Sequence, residues 1–269
     1  MTKNELRHSL LAGEGKGEGE DVFSMFVGGG EMEIIDSHTH WGPSLTMGTE
    51  VTTEELLRQA EQSGVNQIVI FPFPSTALAD EGINERLLEE TVKVENFIPY
   101  YYIPETMRPI PGGKGFYGGK WHWMRGVQDS SSNYKALEDP KLGEFIEASE
   151  NIDLPIVFEE ELAFTEAFVK KTKNLKIIIP HLGMLGGNPI DFLHAFKARG
   201  NIYFDTALAS PDTVMRFIEK IGHERILFGS DIPFGTMKWE LGKVLSLPIG
   251  DDKKEWILGK NLKRLIGLT

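Results

Sequence analysis

The stretch Ile34-Ile35-Asp36-Ser37-His38-Thr39-His40 decides how this chain is read, because a branched apolar pair runs straight into D-x-H-x-H. On an extended strand alternate side chains share a face, so Asp36, His38 and His40 are expected to point the same way. Two imidazoles on one face can converge on a cation, which a borderline metal such as Zn²⁺ accepts through neutral ring nitrogens. Two chance surface histidines would give the same short pattern, so the rest of the chain has to arbitrate.

Outward from that stretch, short β-branched runs alternate with helical patterns. Strands are expected at 33–36, 66–71, 97–103, 123–128, 155–158, 176–179, 202–204 and 225–228. Helices are expected at 53–62, 84–95, 141–150, 163–173, 189–197, 211–221 and 239–245. Alternation of this kind implies parallel strands joined by crossover helices, and this number of strands implies an α/β fold of the (β/α)₈ TIM-barrel type. Ser210 followed by Pro211 reads as a helix start, and Gly64 and Gly222 read as helix ends. At the carboxyl end Ile257, Leu258, Leu262, Leu265 and Ile266 recur at helical spacing, which predicts a closing helix over 251–266.

The barrel is expected to be slightly irregular. Residues 104–120 hold three prolines and five glycines where a helix should stand, so a long loop is expected there. Loops that follow barrel strands build the active face, which makes Arg108, Phe116 and Tyr117 candidates for substrate contact.

Composition narrows the function classes. The formal net charge of −12 argues against nucleic acid, whose phosphates need clustered Lys and Arg. Cysteine is absent, so any metal is held by nitrogen and oxygen. No apolar run reaches the roughly 18 residues of a spanning helix and no secretory h-region stands at the amino end, so a cytoplasmic protein with no membrane partner is expected. A homo-oligomer is compatible with the sequence. Residues 1–31 differ from the rest: Gly13-Glu14-Gly15-Lys16-Gly17-Glu18-Gly19-Glu20 is a low-complexity tract that cannot pack a core. Gly28-Gly29-Gly30-Glu31 directly precedes Met32, so the functional unit is expected to be 32–269, with translation starting at Met32 as a hypothesis.

Three further features fall at expected strand ends, where barrel enzymes keep their catalytic groups. His181 follows Ile177-Ile178-Ile179-Pro180, Asp231 follows Ile226-Leu227-Phe228-Gly229-Ser230, and Glu159-Glu160-Glu161 follows Pro155-Ile156-Val157-Phe158. Together with Asp36-Ser37-His38-Thr39-His40, Pro180-His181-Leu182-Gly183, Phe228-Gly229-Ser230-Asp231-Ile232-Pro233-Phe234 and the terminal 257–268 segment, the chain resembles the amidohydrolase-related family of the amidohydrolase superfamily. Members are metal-dependent (β/α)₈ barrels that hydrolyse amides, esters or lactones, or decarboxylate aromatic and unsaturated acids without an organic cofactor.

The resemblance implies His38 and His40 as metal ligands, Asp231 as ligand and general base, and His181 as ligand or carbonyl-polarising group. A divalent cation lowers the pKa of water toward about 7, and Asp231 can accept the proton of an attacking water and pass it to a leaving group. The chain departs from the family at strand five, where Glu159 stands in place of a histidine. Glu159 can serve as a substituted ligand, with Glu160 as its rival; acids at a helix start are the bland alternative. Asp205 is a candidate for contact with substrate or with the groups behind the metal ligands, or for capping the turn at 206–209. Some branches of the superfamily carry a bridging lysine or glutamate at strand four, and Gln128 and Asp129 are expected there. Gln is a poor bridging ligand, so one divalent ion is expected, with Zn²⁺ favoured.

The expected function is therefore a metal-dependent hydrolase acting on a small carbonyl-bearing substrate. The alternatives are a metal-dependent non-oxidative decarboxylase on the same scaffold and a barrel that has lost activity. Metal-dependent deoxyribonucleases also carry D-x-H-x-H, but their Gly-Glu-Ile-Gly stretch is missing and the negative charge disfavours DNA.

Overall fold

The computed structural model describes residues 32–122, 124–126 and 129–268. The expectation for residues 1–31 lies outside the described residues. Strand β1 (Ile35–Ser44) is buried along almost its whole length, as happens when a strand is covered on both faces. Seven more parallel strands follow it in chain order: β2 (Gln67–Pro72), β3 (Phe97–Tyr102), β4 (Gly118–Trp121), β5 (Ile156–Phe158), β6 (Ile177–Ile179), β7 (Ile202–Asp205) and β8 (Ile226–Leu227). Each pairs with the next.

The sheet curls far enough for its two edges to meet. Ser37 N–H donates to Phe228 O at 2.9 Å, Asp231 N–H to His38 O at 2.7 Å, and His40 N–H to Ile232 O at 3.0 Å. The expected (β/α)₈-type barrel is thus present, with irregularities. The far end of β1 pairs antiparallel with Thr49–Val51, and outside the barrel sheet Met124–Gly126 pairs antiparallel with Asp129–Ser132.

Helices α1 (Thr53–Ser63), α2 (Pro74–Ala79), α3 (Ile83–Lys93), α4 (Leu142–Ile152), α5 (Leu162–Val169), α6 (Pro189–Phe196), α7 (Pro211–Ile221) and α8 (Met237–Leu245) connect the strands. Local chemistry sets their ends. Thr52 accepts from Glu55 N–H at the start of α1, and Gly64 closes it at φ 74°. Ser210 accepts from Thr213 N–H with Pro211 at the first helical position, as the sequence predicts.

The closing segment is helical through Asp251–Glu255 (α9), a π turn at Trp256–Lys260 and Asn261–Ile266 (α10). It inserts Leu262, Leu265 and Ile266 among Ile35, Val69, Ile98, Val157, Ile178 and Leu227 in one apolar cluster. Asn261 fastens it by donating from Nδ2 to Ile226 O at 2.8 Å. No helix among the described residues is long and apolar enough to cross a membrane.

Strand four corrects the sequence expectation. It is Gly118–Trp121, not 123–128, so the residue in the barrel is Lys120; Asp129 begins a strand outside the barrel sheet, and Gln128 lies outside the described residues. The glycines that read as loop are demanded by packing: a Cβ at Gly118 would lie 2.5 Å from the Tyr100 ring, and one at Gly119 would lie 3.0 Å from Ile103 and Ile110. The loop after β3 therefore ends at Tyr117.

Candidate metal centre

Strand β1 and the segments just past β6 and β8 bring three imidazoles and a carboxylate together. Along β1, Ser37 and Thr39 turn outward and satisfy their hydroxyls on Phe228 O and Val69 O, each at 2.7 Å, which leaves His38 and His40 facing inward. Asp36 does not join them. The register with β2 shifts between Asp36 and Thr39, and Asp36 Oδ1 instead accepts from His38 N–H at 3.1 Å and Ser230 N–H at 3.0 Å.

His181 (φ 46°), Leu182 (φ 55°) and Asp231 (φ 54°) adopt left-handed backbone just past their strands. Such conformations cost about 1–2 kcal/mol per residue. They persist here because neighbouring bonds hold them, including His181 N–H to Asp205 Oδ1 at 2.9 Å.

Nε2 of His38 lies 3.3 Å from Asp231 Oδ1, Nε2 of His40 lies 3.2 Å from the same oxygen, and Nε2 of His181 lies 3.6 Å from Asp231 Oδ2. Nε2 of His38, Nε2 of His181 and both Asp231 oxygens are buried with no hydrogen-bond partner. Buried polar atoms left unpaired are costly, and here they face one another in a His and carboxylate set suited to a divalent cation. Two triads have donor atoms within 4.8 Å of one another, His38–His40–Asp231 and His38–Glu159–His181. The residues present therefore fit a divalent metal.

Asp205 both supports a histidine and caps the turn that follows it, two of the roles the sequence left open. It is fully buried behind His38 and accepts from His38 Nδ1 at 2.8 Å, from His181 N–H at 2.9 Å and from Ala207 N–H at 3.1 Å. A proton on Nδ1 leaves the Nε2 lone pair for a cation. The sequence signal was an Asp ending an apolar strand, which reads equally as a cap.

At the fifth strand the Glu159 carboxylate reaches the donor set, with Oε1 3.8 Å from His181 Nε2, while Oε2 accepts from Lys120. Glu160, beside it, accepts from the Trp121 indole at 3.1 Å. Glu161 stands at the start of α5 and accepts from Tyr134 Oη at 2.8 Å.

The electrostatics follow from burial and these neighbours. Burial drives His40 down to about 4, so it is neutral at pH 7. Burial also lowers His181. Burial alone would lower His38, but the carboxylates of Asp231 and Asp205 outweigh it and raise it above the usual imidazole value. Asp231 and Asp205 are held low despite burial, chiefly by His38. Glu159 is held well below the usual carboxylate range despite burial, first by Lys120 and then by His122 and His181. Asp36 is pushed up to about 7 by burial.

A cavity of about 520 Å³ opens onto this set, with His40, Glu159 and Asp231 in its lining. One side is apolar, from Met47, Phe73, Leu185 and Phe234. Phe73 stacks on His40 at 4.5 Å, and Phe234 meets it edge-on at 5.9 Å. The structure does not bring Arg108, Phe116 or Tyr117 into this lining. Arg108 is exposed, Phe116 packs on Tyr101 at 5.2 Å, and Tyr117 packs against the cluster filled by the closing helix. The loop that carries them descends to the start of β4, away from the strand ends that hold the donors.

A sequence profile of the Amidohydrolase family matches residues 114–268, more than half of the chain. The chain belongs to the amidohydrolase family. No curated protein matches it. Among solved structures, this chain resembles a 2,6-dihydroxybenzoate decarboxylase complexed with 2,6-dihydroxybenzoate at 16% identity and TM-score 0.71, covering 88% of this chain and 100% of the other. It resembles an amidohydrolase from Burkholderia multivorans with bound zinc at 12% identity and TM-score 0.72, with 88% and 100% covered. A dihydroxybenzoic acid decarboxylase from Polaromonas, with bound manganese and the inhibitor 2-nitroresorcinol, matches at 15% identity and TM-score 0.69, with 88% and 97% covered. At these identities the likeness establishes the amidohydrolase barrel and no more.

Proposed function

We propose that the protein is a metal-dependent non-oxidative decarboxylase of a small, flat, unsaturated or aromatic carboxylic acid. The observation that carries this reading is one cavity in which an unsatisfied His and carboxylate set adjoins an aromatic wall, Phe73 stacked on His40 and Phe234 at its edge. When bound, a divalent cation, in our reading Zn²⁺, supplies the positive charge that holds an anionic substrate and draws off electron density as the carbon–carbon bond breaks. Phe73, Phe234 and Leu185 offer a slot for a planar ring and exclude water from its carboxylate, which favours leaving as neutral CO₂. The bonding pair stays on the ring carbon, and a proton must reach that carbon. His181 and Asp231, 3.6 Å apart, are the groups that can relay it. Solved decarboxylases with the same fold support this reading.

Hydrolysis of a neutral amide, ester or lactone is the second reading. Glu159, Glu160, Glu161 and Asp231 all line the cavity, and no Lys or Arg is among the described lining residues. That surrounding suits an uncharged substrate better than an acid, and Asp231 is placed to take a proton from attacking water.

One experiment separates the readings. Metal-loaded protein is given aromatic and unsaturated acids, and separately lactones, esters and amides, in ¹⁸O-labelled water with a CO₂ readout. CO₂ release that disappears in His38→Ala supports decarboxylation. Label appearing in an acid product, without CO₂, replaces it with hydrolysis. Neither product from a protein that also fails to retain metal marks a barrel without catalysis.

A further inference from the structure

The cavity over the donor set has two unlike walls. His40, Phe73 and Phe234 belong to β1 or follow β2 and β8, whereas His122, Glu159, Glu160 and Glu161 follow β4 and β5, across the barrel from β8 and β1. The first wall is aromatic and the second polar. On the polar wall the three carboxylates already have partners: Glu159 accepts from Lys120, Glu160 from the Trp121 indole and Glu161 from the Tyr134 hydroxyl.

His122 differs from them. Its ring Nδ1 lies 2.7 Å from the backbone oxygen of Glu159, and its own backbone oxygen accepts from Tyr102 Oη, so both the ring and the main chain are held. A carbonyl oxygen can only accept, so Nδ1 carries the hydrogen, and the neutral ring has its lone pair on Nε2. Nε2 has no hydrogen-bond partner among the described residues, and it is open to the cavity: the side chain lines it and keeps 14% of its surface exposed. A lone pair fixed in this way has a definite sign as a recognition element, because it takes a hydrogen bond and cannot give one. It is also held in place before any ligand arrives, which lowers the cost of binding.

We propose that His122 is a specificity-determining residue, whose Nε2 accepts a hydrogen bond from an amino or hydroxyl group on the side of the substrate turned toward β4. This rests on the reading above, from which it takes a planar acid lying on the aromatic wall, and it adds the polar group that such an acid must bear. A ring amine is the sharper probe of the two, since its N–H donates while its nitrogen accepts poorly, whereas a hydroxyl does both.

The test is isothermal titration calorimetry of the zinc-loaded full chain at about pH 8, above the ordinary imidazole value of about 6.5, where His122 is neutral. The probes are benzoate, the ortho, meta and para aminobenzoates, and the matching dimethylaminobenzoates, which lack the N–H. Wild type should bind one aminobenzoate isomer about fivefold more tightly than benzoate, the usual gain from one neutral hydrogen bond. The dimethylamino counterpart should bind no more tightly than benzoate. His122→Phe and His122→Leu should each lose the preference, so a folding failure in one leaves the other to decide. His122→Gln, whose amide oxygen can stand where Nε2 stood, should keep it. A wild type that treats amino and dimethylamino probes alike, or a preference that survives in His122→Phe or His122→Leu, would overturn the proposal. The same series is run as benzamides. If the amides show the preference and no acid binds, the acid substrate of the reading above is overturned while the assignment of His122 stands. If neither series binds, the assignment itself falls.

Discussion

Asp205 Oδ2 accepts a hydrogen bond from His38 Nδ1 at 2.8 Å, and that single contact leaves Nε2 as the His38 nitrogen open to a cation. Asp205 also accepts the His181 backbone N–H, so one carboxylate orients two of the donors. Substituting Asp205→Asn should weaken divalent metal binding by about 10- to 100-fold, the usual effect of losing a carboxylate partner behind a ligating histidine. Competition with a chromogenic chelator measures this; an unchanged affinity would mean that His38 does not need its orienter.

The aromatic wall divides into a structural and a functional half. Phe73 is buried and stacked on His40, so Phe73→Ala should cost about 3–5 kcal/mol in urea unfolding. Phe234 is 55% exposed. Phe234→Ala should change stability by no more than about 0.5 kcal/mol, while the loss of about 1 kcal/mol of apolar contact should raise KM about fivefold. Equal effects of the two variants on stability would contradict this division.

Asp36 and His40 should act on stability with opposite pH dependence. Asp36 is raised to about 7, so its contribution is present below about pH 4 and is lost as pH rises through about 7. His40 is lowered to about 4, so its contribution is present above about pH 6.5 and is lost as pH falls toward about 4. Asn at position 36 can still accept from His38 and Ser230 N–H but cannot titrate. Relative to wild type, chelator-stripped Asp36→Asn should therefore lose on the order of 2 kcal/mol between about pH 8 and about pH 5. Unfolding midpoints at the two pH values check the sign.

Removing metal should lower thermal stability. Ligand bound only by the folded state adds about 2.7 kcal/mol at a hundredfold excess over Kd. Wild type should gain stability as Zn²⁺ is added back after chelation, and a His38→Ala, His40→Ala double variant should not. A parallel gain in both would place the ion elsewhere.

Deletion of Met1 to Glu31 should leave cooperative unfolding intact, because the barrel strands begin at Ile35 and residues from Glu33 onward form their own compact unit. Loss of the transition in the truncated chain would show that the amino-terminal tract is needed for folding.

The sequence was most legible where local pattern and packing agree. Ile177-Ile178-Ile179 and Ile226-Leu227 are buried strands flanked by helical periodicity, and both are found where the pattern puts them. The Ser210-Pro211 start and the closing helix held for the same reason. Strand β4 was hidden because its residues answer to distant partners: Gly118 makes room for Tyr100, and Lys120 is tolerable only because Glu159 meets it. His38, His40, Asp231 and Glu159 could be picked out as candidates from their places at strand ends. For Asp205 the sequence left substrate contact, support of a ligand and turn capping open together, and only the folded backbone shows that it lies behind an imidazole and not in the cavity lining.

The hydrogen bonds between β1 and the residues after β8 have a consequence in time. Ser37 and Asp36 bond to Phe228 and Ser230 across 191 and 194 positions of sequence, and the donors on the two sides, His38 and His40 against Asp231, are just as far apart along the chain. During synthesis the histidines leave the ribosome long before the aspartate does, so a growing chain holds half a site for most of its existence. On the proposed reading, metal capture at His38–His40–Asp231 must wait for nearly the whole polypeptide, and a chain cut short before Asp231 would have neither these edge-to-edge bonds nor this donor set.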